Sequence, residues 1–321
     1  MILRRMLFVT LLLFSSAALQ AGQGEVAPVI DGGNIKISPP YEEAPECKVR
    51  PGVPVGVVKD FIMDSAESKI YPGLKGPYKR KVAVYIPKQY VAGSEAPFIV
   101  AQDGMGYRGL LPRVLDNLIA DKKIPALIAV MIDSGGGDGP GSQRGLEYDT
   151  VSDTYVNFIE TEVLPRIARE QNVRFTRNPE GRAAMGSSSG GAAAFTMGWF
   201  RPDLYRRILT YSGTYVNQQS PKNPALPHGA WEYHENLIPK NDAKPLRVWL
   251  EVGEKDNGFN RDEKSLHNWT RSNQRMAAAL KAKGYAYKFV FAEGAGHSDG
   301  KVLRATLPEA LVWLWRGYVQ K

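Results

Sequence analysis

The chain has 321 residues, 43% of them hydrophobic and 23% charged, with 32 glycines and 22 prolines, which excludes a disordered, collagen-like or coiled-coil chain. The single cysteine, Cys47, rules out an intramolecular disulfide and a cysteine-based zinc site. The net charge of +8 comes without any dense basic run interleaved with aromatics, so it points to solubility or to acidic substrates, not to nucleic acid.

The chain opens on Arg4 and Arg5, an apolar run from Met6 to Phe14, and small residues through Ala21. This is the layout of a secretory signal, and the run is well short of the roughly 18 to 20 apolar residues that a membrane span needs. Residues 1–21 are therefore expected to be a cleaved signal peptide, with the cut between Ala18 and Gly22 and the product exported to the periplasm or medium. No membrane span is expected after cleavage. Losing the two arginines lowers the net charge from +8 to +6. Residues 22–55, rich in Pro and Gly and without periodicity, are expected to form an extended lead-in to a catalytic domain over 56–321.

Eight strands follow in the pattern: Val57 to Asp64, Lys81 to Pro87, Pro97 to Gln102, Ala126 to Asp133, Arg182 to Gly186, Arg207 to Ser212, Leu246 to Val252 and Tyr287 to Ala292. Continuous apolar runs such as Ala126 to Ile132 suit strands covered on both faces. Helical patterns lie between most of the later strands: one over Thr154 to Arg169 that Pro165 should bend, one over Asn273 to Lys283 ended by Gly284, and a C-terminal one whose capping box is Thr306 and Glu309. Strands alternating with helices predict an α/β fold, a mostly parallel eight-stranded sheet with helices on both faces.

After the fifth strand comes Gly186-Ser187-Ser188-Ser189-Gly190-Gly191, and then a helix. Only Ser188 has a glycine two residues away on each side, the spacing that a nucleophile on a tight strand-to-helix turn requires, because larger flanking side chains would clash across the turn. A serine hydroxyl needs a base. Of four histidines, His297 lies just past the last strand, where a loop can return it to the turn, whereas His228, His234 and His267 read as surface or packing residues. The orienting carboxylate should follow strand seven, and in Glu251-Val252-Gly253-Glu254-Lys255-Asp256 only Asp256 lies clear of both strand and turn. The order Ser, Asp, His is that of α/β hydrolases. Nothing in the sequence asks for a metal or an organic cofactor.

Tyr71-Pro72-Gly73, Val82-Ala83-Val84-Tyr85-Ile86-Pro87, Gln102-Asp103-Gly104, Arg144-Gly145-Leu146-Glu147-Tyr148, the serine turn, Gly253-Glu254-Lys255-Asp256 and Gly296-His297-Ser298 together resemble the putative-esterase family of α/β hydrolases, which includes esterase D, feruloyl esterases and enterochelin esterases. The resemblance runs from about Val57 to Tyr318. It implies the α/β-hydrolase fold, with Ser188 as nucleophile, Asp256 as acid and His297 as base. It also implies an oxyanion hole with one donor from the turn Asp103-Gly104-Met105, at the Met105 N–H, and a second at the N–H of Ser189.

The Gly-rich run Ser134 to Gly141 lacks the Gly-Lys-Ser/Thr ending of a phosphate loop and reads as a flexible loop at the sheet edge. Arg144 after it is expected either to pair with Glu147 or Asp149 or to touch substrate, and Arg108 is expected to flank the acyl pocket. The stretch Tyr215 to Lys244 is expected to cap the site, with Trp231 facing substrate. The function read from these features is an exported serine esterase acting on a small-molecule ester, anionic or polyhydroxy-aromatic, such as a siderophore trilactone or a hydroxycinnamoyl ester. The alternatives are an acyltransferase with the same triad and a binding protein on a hydrolase scaffold.

Overall fold

Apolar runs that cannot face water become the middle of a twisted sheet. The computed structural model describes residues 32–319. Its strands are β1 (Gly33–Ile37), β2 (Val57–Asp64), β3 (Lys79–Ile86), β4 (Glu95–Ala96), β5 (Phe98–Gln102), β6 (Ile128–Ile132), β7 (Arg174–Phe175), β8 (Arg182–Ser187), β9 (Arg207–Tyr211), β10 (Arg247–Gly253) and β11 (Ala286–Ala292). Nine of them form one sheet in the order β1-β11-β10-β9-β8-β5-β6-β3-β2, while β4 and β7 pair separately. β3 is antiparallel to both of its neighbours and the remaining pairs in the large sheet are parallel.

Eight of the nine are the expected strands. The ninth, β1, lies inside the segment expected to be an extended lead-in, and pairs with β11 from Gly33 opposite Lys288 to Ile37 opposite Ala292. Its five residues carry only two apolar side chains, Ile35 and Ile37, which pack on the core. A pattern that short among Pro and Gly is visible only once its partner strand is in place. The expected signal segment lies outside the described residues. Among the described residues, no helix is long and apolar enough to cross a membrane.

The helices are α1 (Leu111–Ala120), α2 (Gln143–Tyr148), α3 (Thr154–Phe158), α4 (Leu164–Gln171), α5 (Ser189–Phe200), α6 (Ile238–Lys240), α7 (Trp269–Ala282) and α8 (Gly300–Trp315). On β5, Phe98 and Val100 join the core beneath α3, α4, α5 and α7, while Ile99 and Ala101 join the one beneath α1 and α8. Alternate side chains of one apolar strand thus face opposite helix layers, each fully buried side chain contributing roughly 1.5–3 kcal/mol. Pro165 acts as expected. With no N–H to offer, it breaks the ladder between α3 and α4, and Ile159–Val163 adopts the wider π spacing, Leu164 N–H donating to the carbonyl of Ile159. The C-terminal helix starts earlier than the Thr306 and Glu309 pattern suggests. Asp299 caps it through the N–H groups of Lys301 and Val302, and Thr306 bonds back to the Val302 carbonyl from the helix interior.

Candidate active site

At the carboxyl end of β8 the chain turns into α5 through Ser188, whose backbone sits at φ 56°, ψ −129°, a region that disfavours side chains. The turn is held on both sides: the Ser188 N–H donates to the Tyr211 carbonyl at 2.9 Å, and the Ser188 carbonyl accepts from the Thr214 N–H at 3.0 Å. A Cβ on Gly186 would lie 2.5 Å from the backbone of Gly190, and one on Gly190 would lie 3.1 Å from Gln102 Cβ. At Gly186 the glycine is thus a steric requirement of the turn, whereas at Gly190 a side chain would crowd Gln102. Ser189 opens α5, so its N–H belongs to the donors that a helix cannot satisfy internally.

Past the end of β10, Asp256 is fully buried, and its Oδ1 accepts from His297 Nδ1 at 2.5 Å and from the Asn257 N–H at 2.6 Å. This bond fixes the tautomer, leaving Nε2 with its lone pair. Gly253 lets the His297 loop close over the strand end, since a Cβ there would meet the carbonyls of Ala295 and Gly296 at 2.5 Å. None of the other three histidines reaches this carboxylate. His234 is buried with Nε2 on the Tyr215 carbonyl, His267 Nδ1 bonds the Ser265 carbonyl, and His228 lies beside Glu232 and Glu235.

Ser188 Oγ bonds Thr214 Oγ1 at 3.3 Å, Thr214 Oγ1 accepts from Trp269 Nε1 at 3.2 Å, and the Trp269 ring stands edge-on to the His297 imidazole with centroids 6.1 Å apart. Thr214 and Trp269 thus link the serine to the Asp256–His297 pair. Neither belongs to a recognisable motif, and nothing local in the sequence marks them.

The turn after β5 is where expectation and structure part. Asp103 adopts the left-handed conformation at φ 52°, and a Cβ on Gly104 would lie 2.2 Å from the backbone of β6. The Met105 N–H, the expected oxyanion donor, gives its hydrogen bond to Asp133 Oδ1 at 3.0 Å. Burial, the first of several influences, raises the Asp133 carboxyl above its ordinary range. The motif Arg144-Gly145-Leu146-Glu147-Tyr148 buttresses this turn. Arg144 binds both Asp103 oxygens, with Nη2 to Oδ2 at 2.8 Å, and reaches Asp138 at 2.9 Å. Tyr148 Oη accepts the Asp103 N–H at 3.1 Å. Glu147 is buried on Arg80, at 2.6 and 2.8 Å, and also takes the Gly135 N–H that begins the Gly-rich loop.

The expected substrate contacts are corrected accordingly. Arg144 pairs with neither Glu147 nor Asp149 but with Asp103, 41 positions away, because the fold lays α2 against the turn after β5. Arg108 is held by both oxygens of Asp60 on the edge strand β2. Trp231 is buried rather than facing substrate, its ring 4.5 Å from that of His234 and beneath the Arg275 guanidinium, so it anchors its segment. Only the start of that segment reaches the serine turn, where Gln218 Nε2 bonds Asp149 Oδ2 at 2.8 Å and Ser189 Oγ at 3.4 Å. Beside it opens a cavity of about 440 Å³ lined by Gly141, Gln218, Ser220 and Lys222.

A mostly parallel sheet with a serine on a strained strand-to-helix turn, and a carboxylate and histidine past the ends of β10 and β11, has the layout of an α/β hydrolase. The chain belongs to the putative esterase family, whose sequence model matches residues 77–314. Among curated proteins it is 22% identical over 218 residues to the uncharacterized protein YbbA of Bacillus subtilis (strain 168), a match covering 64% of this chain and 80% of that one. Among solved structures it resembles the enterobactin esterase FES from Shigella flexneri, in a crystal structure determined in the presence of 2,3-di-hydroxy-N-benzoyl-glycine, with a TM-score of 0.61 and 23% identity. That match covers 84% of this chain but only 61% of the other, so the chain spans about three fifths of its length. It also resembles a ferulic acid esterase at a TM-score of 0.60 and 19% identity, over 82% of this chain and 98% of that one.

Proposed function

We propose that this esterase is an exported serine hydrolase that cleaves a carboxylic ester through an acyl-enzyme. The observations that support the reading are the strained backbone of Ser188 at the strand-to-helix turn and the hydrogen bond that joins His297 Nδ1 to the buried Asp256. His297 Nε2 takes the Ser188 proton as Oγ bonds the ester carbonyl carbon. The oxyanion falls to the Ser189 N–H, aided by the positive end of α5. Collapse expels the alcohol with the proton from Nε2, and water repeats the sequence to release the acid.

The substrate we favour is an anionic or polyhydroxy-aromatic ester such as a catecholate siderophore or a hydroxycinnamoyl conjugate. The enterobactin esterase and the ferulic acid esterase that the chain resembles in structure support this choice. Arg108 and Arg144 no longer do, being paired with acids. We assign the contact with an anionic group to the exposed Lys222, which lines the cavity beside Gln218. Ser188→Ala should abolish fluorophosphonate labelling and lower kcat on an aryl acetate by on the order of 10⁴-fold or more, while Ser187→Ala retains turnover. Persistent labelling of Ser188→Ala sinks the mechanism. A panel of aryl acetates, feruloyl esters and siderophore trilactones tests the substrate class, and faster turnover of long-chain lipid esters rejects it. N-terminal sequencing of protein recovered outside the cytoplasm tests export, with a start expected within 19–22.

A further inference from the structure

Four buried oxygens beneath the Asp256–His297 pair lack hydrogen-bond partners: both carboxylate oxygens of Glu251, Oδ2 of Asp256 and Oγ of Ser298. They belong to one neighbourhood. Glu251 lies on β10 between Tyr211 of β9 and Val290 of β11, and its carbonyl accepts the Ser212 N–H at 2.8 Å. Ser212 Oγ in turn accepts the N–H of Ser298, the residue after His297, at 2.8 Å.

Only 1% of Glu251 is exposed, and no Lys, Arg or His forms an ion pair with it among the described residues. An ionised carboxylate there would go uncompensated at a cost of several kcal/mol, which a protein avoids by keeping the group neutral. Burial, then the negative charges of Asp256 and Asp299, hold its pKa well above the ordinary glutamate value. The phenols of Tyr41, Tyr107 and Tyr211 also feel this carboxyl, and burial, the leading influence on each, keeps them protonated. A neutral acid carries a proton to donate. Asp256 Oδ1 already has two donors, whereas Oδ2 has none.

We propose that Glu251 is a positioning residue: as the neutral acid it directs its O–H to Asp256 Oδ2. This keeps the Asp256 carboxylate turned towards His297, and it rests on the triad reading above. No bond to carbon forms or breaks in this role, and the proton stays on the Glu251 side of the hydrogen bond.

The test compares Glu251→Leu with Glu251→Gln, whose amide is a neutral donor of similar shape. Glu251→Leu should lower kcat at least tenfold, with KM changed less than about twofold, and should broaden or remove the downfield proton resonance of His297 Nδ1. Glu251→Gln should restore kcat to within about threefold of wild type and leave the ascending limb of kcat/KM against pH in place. Undiminished kcat in Glu251→Leu overturns the proposal. So does a limb displaced downwards by about one pH unit in Glu251→Gln, which would show that an anion had been removed. If the leucine variant fails to fold, the pH profile and the proton resonance of the glutamine variant still decide. Ser188→Ala is measured alongside. Turnover surviving there overturns the triad reading itself, whereas a dead Ser188→Ala beside an unaffected Glu251→Leu overturns only the role of Glu251.

Discussion

The two sides of Ser188 are built by different physics. On the β10 and β11 side, Asp256 and His297 are set by strand ends, a glycine that admits a close backbone, and hydrogen bonds of local loops. On the β5 and β6 side, the turn at Asp103 is clamped by charges delivered from far along the chain: Arg144 on Asp103, and Arg80 on Glu147 beneath the Gly-rich loop. The first side joins the candidate acid and base in the Asp256–His297 pair, and the other ion pairs there, Lys36 with Glu293 and Lys288 with Glu309, are partly exposed. The second holds the turn where the family's oxyanion donor is expected, by ion pairs whose partners are mutually dependent. Mutations should therefore act on the second side mainly through stability and turn geometry, and on the first mainly through chemistry.

The largest break should come at the Arg80–Glu147 pair. Both side chains are almost wholly buried, and Glu147→Gln would leave the guanidinium without its counter-charge. Breaking such a pair costs about 3–5 kcal/mol, so denaturant unfolding should show a loss of that order. A loss below about 1 kcal/mol would mean that the remaining partners of Arg80, the Asp133 carbonyl, Tyr78 and the Phe158 ring, suffice.

Next comes Arg144→Ala. Because its guanidinium grips Asp103 at the head of the turn, removal should cost about 2 kcal/mol in kcat/KM on neutral and anionic esters alike. A loss confined to anionic esters would return Arg144 to the role of substrate contact and erase the distinction drawn between the two sides.

Which residues the sequence made legible follows the same division. Ser188, with its bracketing glycines, lies within six consecutive residues, and Asp256 and His297 follow strands whose apolar runs are unmistakable, so periodicity and local stereochemistry were enough to single them out. Arg108, Arg144 and Trp231 show their chemistry in the sequence but not their partners. Asp60 is 48 positions from Arg108, Asp103 is 41 from Arg144, and the ring that Trp231 meets belongs to a histidine whose burial no local pattern announces. Thr214 and Trp269 were missed for the same reason, being 26 and 55 positions from the atoms they bond. The strand β1 was hidden because an edge strand of five residues needs its partner to show which face is inside.

His234 offers a test in the region outside both sides. Its Nε2–H faces the Tyr215 carbonyl at 3.2 Å and its Nδ1 accepts from Arg275 Nε at 3.3 Å, a pattern that only the neutral ring satisfies. Burial, and then the Arg275 charge, pull its pKa down to about 3. The unfolded chain takes up this proton near the reference value of about 6.5. Below that pH the unfolded state binds more protons, so stability falls as the pH drops from about 6.5 towards 3. Between pH 6.5 and 4.5 the loss assignable to His234 is about 2 kcal/mol. His234→Gln keeps a donor and an acceptor but cannot titrate, and its unfolding free energy should be flatter over that interval by this amount. Parallel curves for the two proteins would show that His234 is protonated in the folded state.

The smallest expected effect is the sharpest check on how the chemical side works. Thr214 is buried, and its hydroxyl meets both Ser188 Oγ and Trp269 Nε1. Thr214→Val keeps the shape and removes both bonds, leaving the indole N–H without its acceptor, at a cost of about 1 kcal/mol in stability. If strain in the backbone and the Asp256–His297 pair suffice to arm the serine, the rate of fluorophosphonate labelling should change less than about tenfold. The Ser188 Oγ···Thr214 Oγ1 separation of 3.3 Å is long for an O–H···O bond, which favours that outcome. A hundredfold fall in labelling at unchanged stability would instead make the Thr214 hydroxyl part of what holds Ser188 in its reactive rotamer. The chemical side would then depend, like the other, on a partner supplied from a distant segment.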